Sequence, residues 1–239
     1  MNSRSKMLSG AFVFAIVASA CGGAGATSTA KSPTSAPATA APMTDHMSMA
    51  PDGSAVPMTD SAAADLRTKL DLALGEHIIL ASKATGAALG GRNDEFAAYG
   101  ALLNTNGTDI GAMIGAAYGD AAKDAFNKIW SAHNGFFVDY TTGVATKDQA
   151  KIDKAVQDLT TVYVPQFATF LAGATGLPQD ALESLLTDHV LTTKAIVDAQ
   201  GAGMIEAAAA ADRMAAQHME MIADPLAAAI VAKLPAKFG

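Results

Sequence analysis

A single cysteine in 239 residues leaves no intramolecular disulfide, no thiolate cluster for a metal and no Cys-x-x-Cys-His attachment for haem. Aromatic residues are only 6% of the chain while alanine is abundant, which disfavours a β-sandwich and favours closely packed helices. Basic residues are outnumbered, 16 Lys and Arg against 23 Asp and Glu, for a net charge of −7. A surface that tracks phosphates needs the opposite balance, so nucleic acid is not an expected partner. Catalytic signatures are missing as well. There is no Gly-x-Ser-x-Gly nucleophile turn, no Gly-x-Gly-x-x-Gly after a strand and no His-Glu-x-x-His, and the carboxylates are scattered. Glu-x-x-His is also absent, which argues against a carboxylate-bridged di-iron bundle. The expectation is a protein that is not an enzyme.

What is present begins with an address. Arg4 and Lys6 precede an apolar run from Leu8 to Val17, too short to span a bilayer, and Ala18-Ser-Ala-Cys21 follows. Residues 1–21 therefore read as a lipoprotein signal peptide and lipobox, with Cys21 the lipidated residue. The usual leucine of that motif is replaced by Ala18, and the same Ala-x-Ala would also suit ordinary signal peptidase. Residues 22–61 are Gly, Ala, Ser, Thr and Pro with almost no large aliphatics, a composition unable to offset its ordering entropy. A disordered linker is expected there. Within it stand Met43, His46, Met47 and Met49, in a spacing like that of Met/His segments that wrap soft ions. Drift in a low-complexity stretch is the equal alternative.

Residues 62–239 change to helical periodicity. Leu66, Leu70, Leu74, His77, Ile78 and Ala81 share one face of a first long helix ending at Gly90-Gly91. Asn93 is placed as the cap of a helix to Leu103, with Asn104-Thr-Asn-Gly107 as a break. Further helices are expected over 109–118, 121–140, 147–162, 165–172, 179–200 and 204–234, the last kinked or ended at Asp224 by Pro225. No alternating strand pattern occurs. The fold class is all-α, an antiparallel helical bundle. His77, His133 and His189 stand 56 residues apart, twice over, and Glu76 and Asp188 each precede a histidine. This predicts a bundle built from duplicated helical hairpins; where such units stack with pseudosymmetry the three histidines take comparable positions, and spacing leaves open whether their rings converge on the interior.

Two sets of candidate metal ligands follow. One is His77, His133 and His189, with Glu76 and Asp188 as orienting acids; the competing reading of each histidine is a locally bonded core residue. The other, and the better candidate for the ligands of the folded part, is Met214, His218 and Met221, which lie at i, i+4 and i+7 on one helix face and offer thioether and imidazole to Cu(I). A methionine stripe at that spacing equally serves as gap-filling core. Trp130, three residues before His133, is placed to cover a soft cation or to fill the core.

Phe136-Phe-Val-Asp-Tyr-Thr-Thr-Gly143, His189-Val-Leu-Thr-Thr-Lys194 and Met221-Ile-Ala-Asp-Pro-Leu226 resemble a family of uncharacterised extracytoplasmic helical-bundle lipoproteins. Its members are sometimes labelled copper amine oxidase N-terminal domain-like. The resemblance covers about residues 66–238 and implies a secreted or lipid-anchored helical domain, without catalytic residues. The Asn-Tyr-(Asp/Glu) sequence from which amine oxidases make their quinone is missing.

The expectation is thus a protein anchored by lipid to the outer face of the cell membrane that sequesters or hands over copper through Met and His ligands. The competing expectation is an envelope protein-interaction module without metal.

Overall fold

The computed structural model describes residues 61–239, and every element in them is helical. The helices are α1 (Ala62–Leu89), α2 (Asn93–Tyr118), α3 (Asp120–Thr146), α4 (Gln149–Asp158), α5 (Val164–Thr175), α6 (Gln179–Gly201), α7 (Ile205–Lys233) and the short α8 (Pro235–Phe238). A π-helical turn, Leu159–Tyr163, joins α4 to α5 without a break. Helix α1 is central, in contact with α2, α3, α6 and α7, while α3 carries α4 and α6 lies against α5 and α7. The result is an all-α bundle. None of the described helices is long and apolar enough to cross a membrane.

Local chemistry sets the ends of these rods. Ser61 opens α1 by accepting the Ala64 N–H on its hydroxyl, satisfying one of the donors that a helix start leaves open. Asp148 does the same for Lys151 N–H at the start of α4. Gly119 alone separates α2 from α3 at φ +91°, a conformation that a side chain would strain. Such short connections leave successive helices antiparallel neighbours.

The core is lined by Leu66, Leu70, Leu74 and Ile78 of α1, by the aromatic cluster Phe126, Trp130, Tyr163 and Phe167, and by small residues such as Ala168, Ala215 and Ala223. Burying alanine lets helix axes approach closely, which is how a chain poor in aromatics still closes its interior.

Three expectations about helix boundaries are corrected. Asn104-Thr-Asn-Gly107 does not break the chain, because α2 runs through it from Asn93 to Tyr118. Both residues that signal a turn serve packing instead. A Cβ on Gly107 would lie 2.5 Å from Trp130 Cδ1, so glycine lets α3 seat its tryptophan against α2. Buried Asn106 donates to the carbonyl of Ala73 (2.8 Å) and to Glu76 Oε2 (2.9 Å), bonding α2 to α1. Pro225 does not end α7 at Asp224; the helix continues to Lys233. Leu226, Ala227 and Ile230 beyond it are all buried in the main core, and their burial outweighs the roughly 3 kcal/mol that an interior proline costs. Arg67 of α1 also grips Asp224 through both carboxylate oxygens at 2.5 Å, just before the proline. Finally, the two helices expected at 147–162 and 165–172 form one rod. Pro165 has no N–H to give, and the Val164 N–H reaches five residues back to Leu159 O, producing the π turn.

Candidate metal centre

His77, His133 and His189 meet in the interior from three different helices, α1, α3 and α6. They are 3%, 0% and 3% exposed, and their ring centroids stand 5.5 Å (His77–His133), 6.0 Å (His77–His189) and 6.4 Å (His133–His189) apart. One ring nitrogen from each lies within 4.8 Å of the others, the one such grouping of His, Cys, Asp and Glu among the described residues. Around an ion with bonds of about 2.0–2.1 Å, three such nitrogens stand about 3.4 Å apart, so closure requires inward movement of about 1 Å.

The hydrogen bonding of the triad is incomplete. His133 Nδ1–H donates to the carbonyl of Trp130 at 2.6 Å, one turn back in its own helix. That bond fixes the tautomer and leaves a bare lone pair on Nε2, which is buried with no partner. His77 Nδ1 and His189 Nδ1 are likewise buried and unpartnered. Buried polar atoms are nearly always bonded, so three unpartnered nitrogens on neighbouring imidazoles are an exception to ordinary packing.

The environment keeps these rings neutral. Burial pushes the pKa of each down to about 3, assisted by the neighbouring histidine in every case: His133 acting on His77, His189 on His133, and His77 and His218 on His189. Their lone pairs are therefore free at any pH near neutrality. Aromatic rings form the walls. Trp130 lies 4.6 Å from the His77 ring and 4.7 Å from that of His133, and Tyr163 stacks on His133 at 4.7 Å and 17°. Burial also pushes the Tyr163 hydroxyl pKa up, so the wall carries no charge.

The orienting acids take other places. Glu76 accepts from Asn106 rather than from a histidine, because a residue adjacent to His77 on a helix points about 100° away from it. Asp188 lines a surface groove beside Leu191 and Thr192. No carboxylate hydrogen bond reaches the triad rings among the described residues, leaving the donor set three neutral nitrogens.

The second set lies on one face of α7, at the groove that Asp188 also lines. His218 is buried, and its Nε2–H donates to the Leu185 carbonyl at 2.8 Å, leaving only Nδ1 with a lone pair. Met214 and Met221 are 53% and 60% exposed. The stripe is thus a half-open surface feature, neither gap-filling core nor an enclosed site. Met43, His46, Met47, Met49 and Cys21 lie outside the described residues.

Tyr163 and Asn106 were not legible as parts of this site. Asn106 sits in a string that reads as a turn, and Tyr163 is aimed at His133 from the π turn beside Pro165, whose only sequence signal is a proline inside a helical pattern.

Comparison with protein-family models, with curated proteins and with solved structures finds no match to this chain.

Proposed function

We propose that this protein binds copper as Cu(I) at the His77, His133 and His189 triad, for sequestration or handover at the cell envelope. The observation that carries the reading is that three buried imidazoles from α1, α3 and α6 each bring a ring nitrogen within 4.8 Å of the others, and each also has a buried nitrogen with no partner. Three neutral donors suit Cu(I), Cu(II) or zinc. Burial discriminates among them. With no carboxylate in the donor set the ion's charge is uncompensated, and the cost of burying it grows as the charge squared, so a monovalent ion pays roughly a quarter of a divalent one's penalty. The Trp130 ring, beside two of the ligands, adds a π face that favours a soft monovalent cation.

The rest of the chain fits such a role. Cys21 supplies the lipid anchor at the outer membrane face, and residues 22–61 form the tether whose Met43, His46, Met47 and Met49 collect the ion. Met214, His218 and Met221 serve as a surface relay above α6 and α7. Duplicated helical hairpins account for the equal spacing of the three histidines and for their meeting at one point, and kinship with the lipoproteins named above is consistent with this architecture. The assigned role is binding rather than catalysis. The alternative, an interaction module, would draw on exposed Met204 and Ile205 at the α6–α7 turn and gives the triad no part.

The test is a competition titration of the full chain against a colorimetric Cu(I) chelator under reducing conditions. One tightly held equivalent is expected, lost in His133→Phe and in His189→Leu but kept when Met214 and Met221 are both changed to Leu. Failure of the wild-type chain to draw Cu(I) from the chelator would sink the assignment. Retention of the tight equivalent in both histidine variants would move it away from the triad.

A further inference from the structure

Nine buried side-chain nitrogen and oxygen atoms have no hydrogen-bond partner among the described residues, and six of them are gathered at the triad. Three belong to the histidines, and a fourth is Nε1 of Trp130, whose ring stands against two of them. The remaining two are Asn106 Oδ1 and Thr193 Oγ1. Buried polar atoms are rarely left bare, so a cluster of them in one place calls for a cause.

Asn106 and Thr193 each stand next to one histidine. Asn106 donates through Nδ2 to the Ala73 carbonyl, one turn before His77, and to Glu76 Oε2, beside His77 in the chain. With both N–H donors used, the amide is fixed in orientation and its oxygen is left as a bare acceptor. Burial lowers the His77 pKa, and the Asn106 amide beside the ring acts in the opposite direction, as an acceptor facing an imidazole does. Thr193 follows His189 by one turn of α6 and borders the same internal space as His77. Residues four apart on a helix are about 5–6 Å from one another at Cβ, and side chains lean toward the N-terminus, so Thr193 leans over His189. Other threonines return their hydroxyl to the carbonyl four residues back, as Thr141 does to Phe137 and Thr187 to Glu183. Thr193 does not, and the His189 carbonyl takes the Thr192 hydroxyl instead, at 3.1 Å.

An imidazole that binds an ion through one ring nitrogen carries its proton on the other, and that N–H needs an acceptor. His133 already has one in the Trp130 carbonyl. We infer that Asn106 and Thr193 are positioning residues for the copper triad, accepting the ring N–H of His77 and of His189 once the ion draws the three imidazoles together. This rests on the copper reading above. The inward movement of about 1 Å that ligation by three nitrogens requires is of the size that separates a near approach from a hydrogen bond. Neither acceptor carries a charge, which sets them apart from the carboxylates that often back metal-bound histidines and leaves the ion's own charge the only one in the site.

The experiment compares the full chain with its Thr193→Val, Thr193→Ser, Asn106→Ala and His189→Leu variants, by Cu(I) chelator competition and by histidine ¹⁵N NMR of the diamagnetic Cu(I)-loaded protein. Thr193→Val keeps the shape and removes the acceptor. It is expected to weaken Cu(I) binding about 10–100-fold and to leave the metal-free urea midpoint unchanged or raised, because the hydroxyl it removes has no partner there. Thr193→Ser is expected to restore most of the affinity. Three hydrogen-bonded ring N–H protons are expected in the loaded wild type, with Thr193→Val losing that of His189 alone and Asn106→Ala that of His77 alone. An unaltered affinity in Thr193→Val, a loss that Thr193→Ser does not restore, or a lowered metal-free midpoint would overturn the role of Thr193. A hydrogen-bonded His77 N–H that survives in Asn106→Ala would overturn that of Asn106. Absence of Cu(I) binding by the wild type, or full binding by His189→Leu, would instead remove the copper reading itself and this inference with it.

Discussion

Acidification acts on this fold through the three buried imidazoles, and the size of its effect can be worked out from them. In the unfolded chain a histidine takes up a proton as the pH falls through about 6.5. In the folded chain His77, His133 and His189 resist protonation until about pH 3, because burial disfavours their charged forms. Between those values the unfolded state binds more protons, so stability is lost as the pH falls below 6.5. Each histidine costs about 1.4 kcal/mol at pH 5.5 but only about 0.2 kcal/mol at pH 7. Together the three remove about 4 kcal/mol over that interval, a large part of the roughly 5–15 kcal/mol that holds a domain folded. Carboxylates with ordinary pKa values titrate lower, so the window reports mainly on histidine. Urea unfolding of chelator-treated protein at pH 7.0 and 5.5 measures the difference, and His189→Leu is expected to lose about a third less. Equal midpoints at the two pH values, with unchanged slopes, would refute the claim that the triad is buried and neutral.

Other perturbations have equally defined outcomes. Cu(I) should raise the thermal midpoint of the wild-type chain and not that of His189→Leu, by about 4 kcal/mol of stability at a thousandfold excess over Kd. Because the triad has no protons to displace, its copper affinity should be constant between pH 5.5 and 7.5, read by the same chelator competition at each pH. Gly107→Ala puts a methyl group 2.5 Å from the Trp130 ring and should destabilise by about 1–3 kcal/mol in urea melts, with a shift in tryptophan emission. Asn106→Ala leaves the Ala73 carbonyl and Glu76 without their shared donor and should cost about 1–3 kcal/mol, read as a lower urea midpoint.

The helices themselves were largely legible along the chain. The face made by Leu66, Leu70, Leu74 and Ile78 announced α1, and Gly90-Gly91 marked its end one residue after Leu89. Helices α6 and α7 lie within a residue or two of where periodicity placed them. The errors came where a residue that ends helices in isolation was used for packing. Asn106 and Gly107 signal a turn in isolation because local propensity cannot register their partners, Ala73 on α1 and Trp130 on α3. Pro225 signals a kink or a stop along the chain, and the stop does not occur because Leu226 and Ile230 are buried against other helices.

The candidate site divides in the same way. Equal spacing made His77, His133 and His189 a set, but spacing along a chain carries no information about which way three rings turn in the interior. Met214, His218 and Met221 share a helix face as spacing alone required, yet the exposure of the two thioethers and the bond from His218 to Leu185 depended on the neighbouring helix. What the sequence determined by itself was helix and the face each residue occupies, because those follow from a 3.6-residue period. Only the tertiary structure decided that three imidazoles meet with bare nitrogens between Trp130 and Tyr163, since burial and orphaned lone pairs exist only once separate helices have closed around one another.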